Sequence, residues 1–210
     1  MDVTNKTFGF LGCGKISSAV CRGYASHPDA SKKPRRILVS KRSHDKSSAL
    51  VADFPGLVEV AENEQVVAES DVIFVGLLPQ VAREIMPALP FTAEKLVVSM
   101  MAAVDYAEVL SLTKMSADNV VRTVPLPSNA TRQGPILVHP RHAVLQQVLD
   151  YVGAAVLCAT EDEMKPLVSI TGHIAPFYEL MRVSQVWAVQ NGTYFVFRNV
   201  VKHNISVVCY

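Results

Sequence analysis

The run Gly9-Phe-Leu-Gly12-Cys-Gly14-Lys15-Ile16-Ser17 is the strongest chemical signal in the chain. Phe8 to Leu11 is a short apolar run ending in glycine and reads as a buried parallel strand. Directly after the turn, Ile16, Ala19, Val20 and Gly23 recur at helical spacing, as on a helix packed against a sheet. What such a turn can do is bind an anion. Gly12 allows the tight bend, and Gly14 lets the backbone approach a pyrophosphate with no Cβ in the way. The first helical N–H groups, from Lys15 and Ile16 onward, offer free donors and a positive dipole end. Ser17 takes a third position, where a small residue is needed for close helix–strand packing. A βα turn that binds nothing is the other reading of these residues. Placement between a strand and a helix near the N-terminus favours a dinucleotide site.

Which dinucleotide is read at the end of the second strand. An acid there would accept hydrogen bonds from the ribose hydroxyls of NAD. This chain has Ser40-Lys41-Arg42-Ser43 instead, with no acid until Asp45. Two cations and two hydroxyls suit a 2′-phosphate through charge-assisted hydrogen bonds. NADP(H) is favoured, with NADH as a second cofactor; a solvated basic loop is the alternative. Lys32, Lys33, Arg35 and Arg36 read as a solvated loop, since a nucleic-acid patch would want aromatics or a longer stripe.

The elements that must position these groups alternate between strand and helix. Strands are expected at Phe8–Leu11, Ile37–Ser40, Val72–Leu78, Leu96–Met100, Val120–Val124, Ile136–Val138 and Ala155–Cys158. Helices are expected after Gly14, over Ser47–Asp53, Val81–Ala88, Tyr106–Leu112 and Ala143–Tyr151. That order argues for βαβ units with right-handed crossovers, a Rossmann-type doubly wound, mainly parallel sheet of the α/β class. Half of the 210 residues are hydrophobic, enough for a sizeable core, and the formal net charge is only +1. Cys13, Cys21, Cys158 and Cys209 show no metal-binding or disulfide spacing. No apolar stretch approaches the roughly 20 residues of a spanning helix, and the N-terminus carries no secretory pattern. The expectation is a soluble, cytoplasmic protein with no nucleic-acid, membrane or metal partner, its sequons at Asn5, Asn129, Asn191 and Asn204 being fortuitous.

Several segments resemble the pyrroline-5-carboxylate reductase family in order and spacing, from about residue 7 to residue 182. Phe8-Gly-Phe-Leu-Gly-Cys-Gly-Lys-Ile is similar to that family's first strand and glycine turn. Asn63, followed by Val66-Val-Ala-Glu-Ser-Asp71-Val-Ile-Phe-Val-Gly-Leu-Leu-Pro79-Gln80, resembles its next segment. Leu96-Val-Val-Ser-Met-Met-Ala-Ala103 resembles the strand and small-residue turn beside the nicotinamide, and Val121-Arg122-Thr-Val-Pro125 a later Arg-x-Met-Pro turn. The resemblance implies a cofactor set of Gly12, Gly14, Lys15, Ile16, Ser40, Lys41, Arg42, Asn63, Leu77, Leu78, Pro79, Met101 and Ala102. It implies a small imine substrate, with Thr171 as a hydrogen-bond partner to the imine nitrogen or substrate carboxylate. A homodimer is implied where the C-terminal region supports one.

The departures from the family lie mainly toward the substrate side. Leu78 stands where the family has lysine, Leu126-Pro127-Ser128 where it has Asn-Thr-Pro, and Thr171-Gly-His-Ile-Ala-Pro-Phe-Tyr178 where it has Ser-Gly-Ser-Gly-Pro-Ala-Tyr. Residues 1–159 read as the NADP-binding domain, 160–182 as the first helix of a helical dimerisation domain opened by a Thr160-x-x-Glu163 capping box, and 183–210 as a divergent, strand-prone tail. Three functions remain open: NADPH-dependent reduction of 1-pyrroline-5-carboxylate or a related imine, cofactor binding without catalysis, and oxidoreduction of another substrate, as in the deazaflavin-linked NADP reductases.

Overall fold

Side chains alternate across a strand, so a strand buried on both faces must be apolar at every position. Phe8–Leu11 of the strand Thr7–Leu11, Ile37–Val39 of Arg36–Ser40, and all of Val72–Val75 meet that requirement in the computed structural model, which describes residues 1–41 and 44–193. Phe8, Phe10, Ile37, Val39, Val72 and Phe74 pack into one core cluster, and Leu11, Leu38, Ile73 and Val75 into another.

The elements run β1 (Thr7–Leu11), α1 (Lys15–Ala25), β2 (Arg36–Ser40), α2 (His44–Asp53), β3 (Val58–Ala61), α3 (Asn63–Glu69), β4 (Val72–Val75) and α4 (Pro79–Ile85). They continue through β5 (Leu96–Ser99), α5 (Tyr106–Thr113), β6 (Val120–Val124), β7 (Pro135–His139), α6 (Ala143–Leu149), β8 (Ala154–Leu157), α7 (Glu161–Thr171) and α8 (Ile174–Gln190). The eight-stranded sheet has the order β3-β2-β1-β4-β5-β6-β7-β8. Every neighbouring pair is parallel except β6 with β7. The expected doubly wound, mainly parallel sheet is therefore present. The chain divides into two compact units, Met1–Lys165 and Pro166–Tyr210. Among the described residues no helix is long and apolar enough to cross a membrane.

Three local differences from the sequence reading have physical causes. The strand β3 and helix α3 were not anticipated: β3 is a four-residue edge strand whose Glu59 and Val60 are both exposed, on opposite faces, and it is too short for a periodic signal. β4 stops at Val75 rather than Leu78, because the chain leaves the sheet at Gly76 and Leu78 already caps α4, with Pro79 at its first turn. Val183–Gln190, expected to be strand-prone, continue α8. A lone strand leaves its backbone groups unpaired, whereas a helix pairs its own as it extends. Tyr194-Phe-Val-Phe lies outside the described residues.

Two buried anchors hold the helices on the first unit. Asn129 donates from Nδ2 to the Gln133 and Val152 carbonyls at 3.0 and 3.1 Å and accepts the Leu126 N–H. Its amide is thus committed to the fold, and the sequon at this position is not open to modification in the folded chain. Tyr24 is fully buried, its ring edge-on to Phe8 with centroids 5.0 Å apart and its hydroxyl donating to the Val148 carbonyl at 3.0 Å. This last bond ties α1 to α6.

Tyr24→Phe keeps the ring packing and deletes the bond, while the Val148 carbonyl retains the Tyr151 N–H. The expected loss is about 1 kcal/mol, read as a lower urea midpoint with an unchanged slope.

Candidate functional site

The strand order reverses between β1 and β4: β2 follows β1 on one side of the pair, and β5 follows β4 on the other. Loops leaving such a pair at their C-terminal ends turn to opposite faces of the sheet and open a crevice. Here the crevice is a cleft of about 300 Å³ lined by Gly12, Cys13, Gly14, Gly76, Leu77, Leu78 and Val81.

Each glycine of the first turn has its own constraint. Gly12 has φ +85°, and a Cβ on it would stand 2.5 Å from the Gly76 carbonyl oxygen. Its N–H donates to Ser40 Oγ at 2.8 Å, which pins the turn to the end of β2. Gly14 is the N-cap of α1, and a Cβ there would meet nothing within 4 Å. Its carbonyl accepts the first helical bond, from Ser18, so the N–H groups of Lys15, Ile16 and Ser17 have no helical acceptor. Ser17 is buried where a Cβ on Gly76 would come 2.2 Å from its Oγ, confirming the close helix–strand approach that requires a small residue. Cys13 is buried with Sγ 3.6 Å from Ser18 Oγ, and burial pushes its thiol up, away from the reactive thiolate.

The other expected cofactor residues divide by location. Leu77 and Leu78 line the cleft, and Leu78 is 69% exposed, with Pro79 behind it at the start of α4. Asn63 opens α3, half-buried and with no side-chain hydrogen bond among the described residues. Ser40 is buried and holds the Gly12 turn, rather than standing open beside Lys41. Lys41 is exposed and forms an ion pair with Glu62, the N-cap of α3. Arg42 lies outside the described residues. Met101 is buried, Ala102 exposed, in the turn after β5. Gly76, Val81 and Glu62 were missed. Gly76 was visible only as one glycine in an apolar run, and Glu62 needed knowledge of β3.

Arg122 is a structural anchor. Its guanidinium is nearly buried and donates to the Val104 carbonyl at 2.9 Å and the Ala102 carbonyl at 2.7 Å, and it pairs with Glu161 at 3.2 Å. Glu161 also accepts the Tyr106 N–H at 2.9 Å. One planar fork therefore holds the Met101–Val104 turn, the start of α5 and the start of α7. At that start Thr160 Oγ1 accepts the Glu163 N–H at 3.2 Å, as the capping box requires, while Glu163 reaches back to the Ala159 N–H rather than to that of Thr160. In the second unit, Thr171 Oγ1 donates to the Val168 carbonyl at 2.6 Å.

Residues 7–103 match the family described as NADP oxidoreductase, coenzyme F420-dependent. The pyrroline-5-carboxylate reductase of Corynebacterium melassecola is 26% identical over 177 residues, covering 79% of this chain and 64% of that protein. The chain thus spans slightly under two thirds of this relative's length. Among solved structures, the 1-pyrroline-5-carboxylate reductase of Streptococcus pyogenes superposes with a TM-score of 0.77 at 16% identity, over 98% of this chain and 79% of that one. The pyrroline carboxylate reductase of Plasmodium falciparum, solved with NADP bound, gives 0.78 at 18%, over 97% and 77%. These two likenesses establish the fold. Together with the sequence matches they bear out the resemblance to the pyrroline-5-carboxylate reductase family.

Three substitutions test the scaffold of the site. Gly12→Ala meets a strained φ and a backbone oxygen that cannot swing aside, so folding stability should fall by at least about 2 kcal/mol. Arg122→Met leaves the Glu161 carboxylate without its partner and should cost about 3 kcal/mol. Arg122→Lys should recover only part of it, since an ammonium cannot reproduce the fork. Chemical denaturation measures all three, and a lysine variant as stable as the original would refute the anchoring role.

Proposed function

We propose that the chain binds NADP(H) in the cleft between the Gly12 turn and Gly76–Leu78 and uses it to reduce a cyclic imine, 1-pyrroline-5-carboxylate or a close relative. The observation that carries this reading is Gly14: open space at its Cβ position, on the N-terminus of a helix whose first N–H groups await an acceptor. The pyrophosphate fits that space. The ribose phosphate lies toward Lys41, where a cation stands at the end of β2, and NADH is accepted as a second cofactor.

The bound nicotinamide supplies the hydride. The chain's own residues bind, orient and exclude water. Leu77 and Leu78 offer apolar surface at the end of β4, and Arg122 holds the Met101–Val104 turn after β5. Thr171 is the side chain offered to the imine nitrogen or substrate carboxylate. Proline as product, in amino-acid biosynthesis in the cytoplasm, belongs to this reading and is supported by the resemblance; the Corynebacterium relative is named for pyrroline-5-carboxylate reduction. A second reading, cofactor binding without turnover, is favoured by the Thr171 hydroxyl donating to Val168, which leaves it only an acceptor role toward substrate. Phe177, Leu180, Val183 and Trp187 of α8 are exposed, and a second copy of the chain covering them would give a homodimer.

Purified protein with excess pyrroline-5-carboxylate should oxidise NADPH faster than NADH. Gly14→Ala should abolish cofactor binding at a stability cost of about 1 kcal/mol or less, because its methyl enters the phosphate space and meets no protein atom. NADPH bound without turnover would leave the second reading standing. Light scattering should give twice the mass of the 22.9 kDa chain, and a monomer at high concentration would remove the homodimer.

A further inference from the structure

The parallel register of β2 on β3 pairs Ile37 with Val58, Leu38 with Glu59, Val39 with Val60 and Ser40 with Ala61. The next residues on the two strands, Lys41 and Glu62, therefore leave the same edge of the sheet side by side. Their ion pair is a product of the sheet, with both side chains mostly exposed. Glu62 is also the N-cap of α3, where a side-chain acceptor ordinarily turns back to the helix's first N–H groups. It makes no cap bond and reaches across to Lys41 instead.

We propose that Glu62 is a specificity-determining residue that sets the balance between NADPH and NADH; the inference rests on the cofactor reading above. A 2′-phosphate arriving at Lys41 meets a cation already neutralised by a carboxylate, and its own charge opposes Glu62. NADPH binding has to break the Lys41–Glu62 pair or place its phosphate beside the Glu62 carboxylate. NADH brings a 2′-hydroxyl, which donates to Glu62 and leaves the pair intact. The acid that an NAD site places at the end of the second strand is here delivered from the end of the third, beside a lysine suited to the phosphate. The pair reads both cofactors and discriminates weakly.

Titration of the full chain with NADPH and with NADH, followed by nicotinamide fluorescence, tests this without turnover. Glu62→Gln keeps the size of the side chain and removes its charge, and no cap bond is lost. It should tighten NADPH by about two- to fivefold, the scale of an exposed charge pair, and leave NADH equal or weaker. Lys41→Ala should weaken NADPH by a similar factor and spare NADH, and in Lys41→Ala the Glu62→Gln effect on NADPH should shrink. The NADPH gain should fade in high salt. If both cofactors bind but their affinity ratio is unchanged by Glu62→Gln, Glu62 has no such role and the cofactor reading survives. If the unaltered chain binds neither, the cofactor reading fails and this inference with it.

Discussion

A methyl group on Gly12 would stand 2.5 Å from the carbonyl oxygen of Gly76, and most of the candidate site depends on that near-contact. β1 and β4 end side by side because neither loop carries a side chain where they cross. From there the constraints propagate. Ser40 closes on the Gly12 N–H, fixing the end of β2 to the turn. Ser17 packs under Gly76, setting the approach of α1 to the sheet. With the helix so placed, its N-terminus faces the crevice at the reversal of strand order. A larger residue at Gly12, Ser17 or Gly76 would push these elements apart and close or misdirect the anion site.

A second set of constraints governs the far side of the cleft. The Met101–Val104 turn has little apolar burial of its own beyond Met101 and Val104. Its shape depends on two carbonyls accepting from Arg122, which is held in turn by Glu161. A nearly buried guanidinium is tolerated because its donors meet two carbonyls and a carboxylate. The same carboxylate orients the first turn of α5 through the Tyr106 N–H. Rigidity at this end of the sheet is electrostatic, whereas at the glycine turn it is steric.

The sequence was most legible where a long apolar run had to be buried on both faces. β1, β2, β4 and β5 each show such a run, and the glycine turn sits between the clearest strand and the clearest helix. Legibility failed where the signal depends on neighbours distant in sequence. β3 is short and at an edge, so its existence is decided by pairing with β2. Glu62 gained meaning only once the β2–β3 register placed it beside Lys41. Ser40 shows the reverse case: a hydroxyl beside two cations suggested a phosphate ligand, and the fold turns it inward, where it accepts the Gly12 N–H. Arg122 meets the carboxylate of Glu161, nearly forty residues along the chain, a partner that nothing local in the sequence marks.

The antiparallel β7 has a geometric effect on the whole edge. Val138 pairs with both Thr123 and Leu157, and Ser99, the last residue of β5, pairs with Arg122. Residues 135–138 of β7, with 154–157 of β8 alongside, therefore lie past the level at which β5 stops. The sheet is staggered, its last two strands overhanging the rim from which the Gly12 turn departs. β7 stands three strand spacings from β4, roughly 14 Å. The rim is thus a ledge with a parapet at one end, while at the opposite end, past β2 and β3, stand the exposed side chains of Lys41 and Glu62. A backbone wall thus bounds the rim at one end and an ion pair at the other.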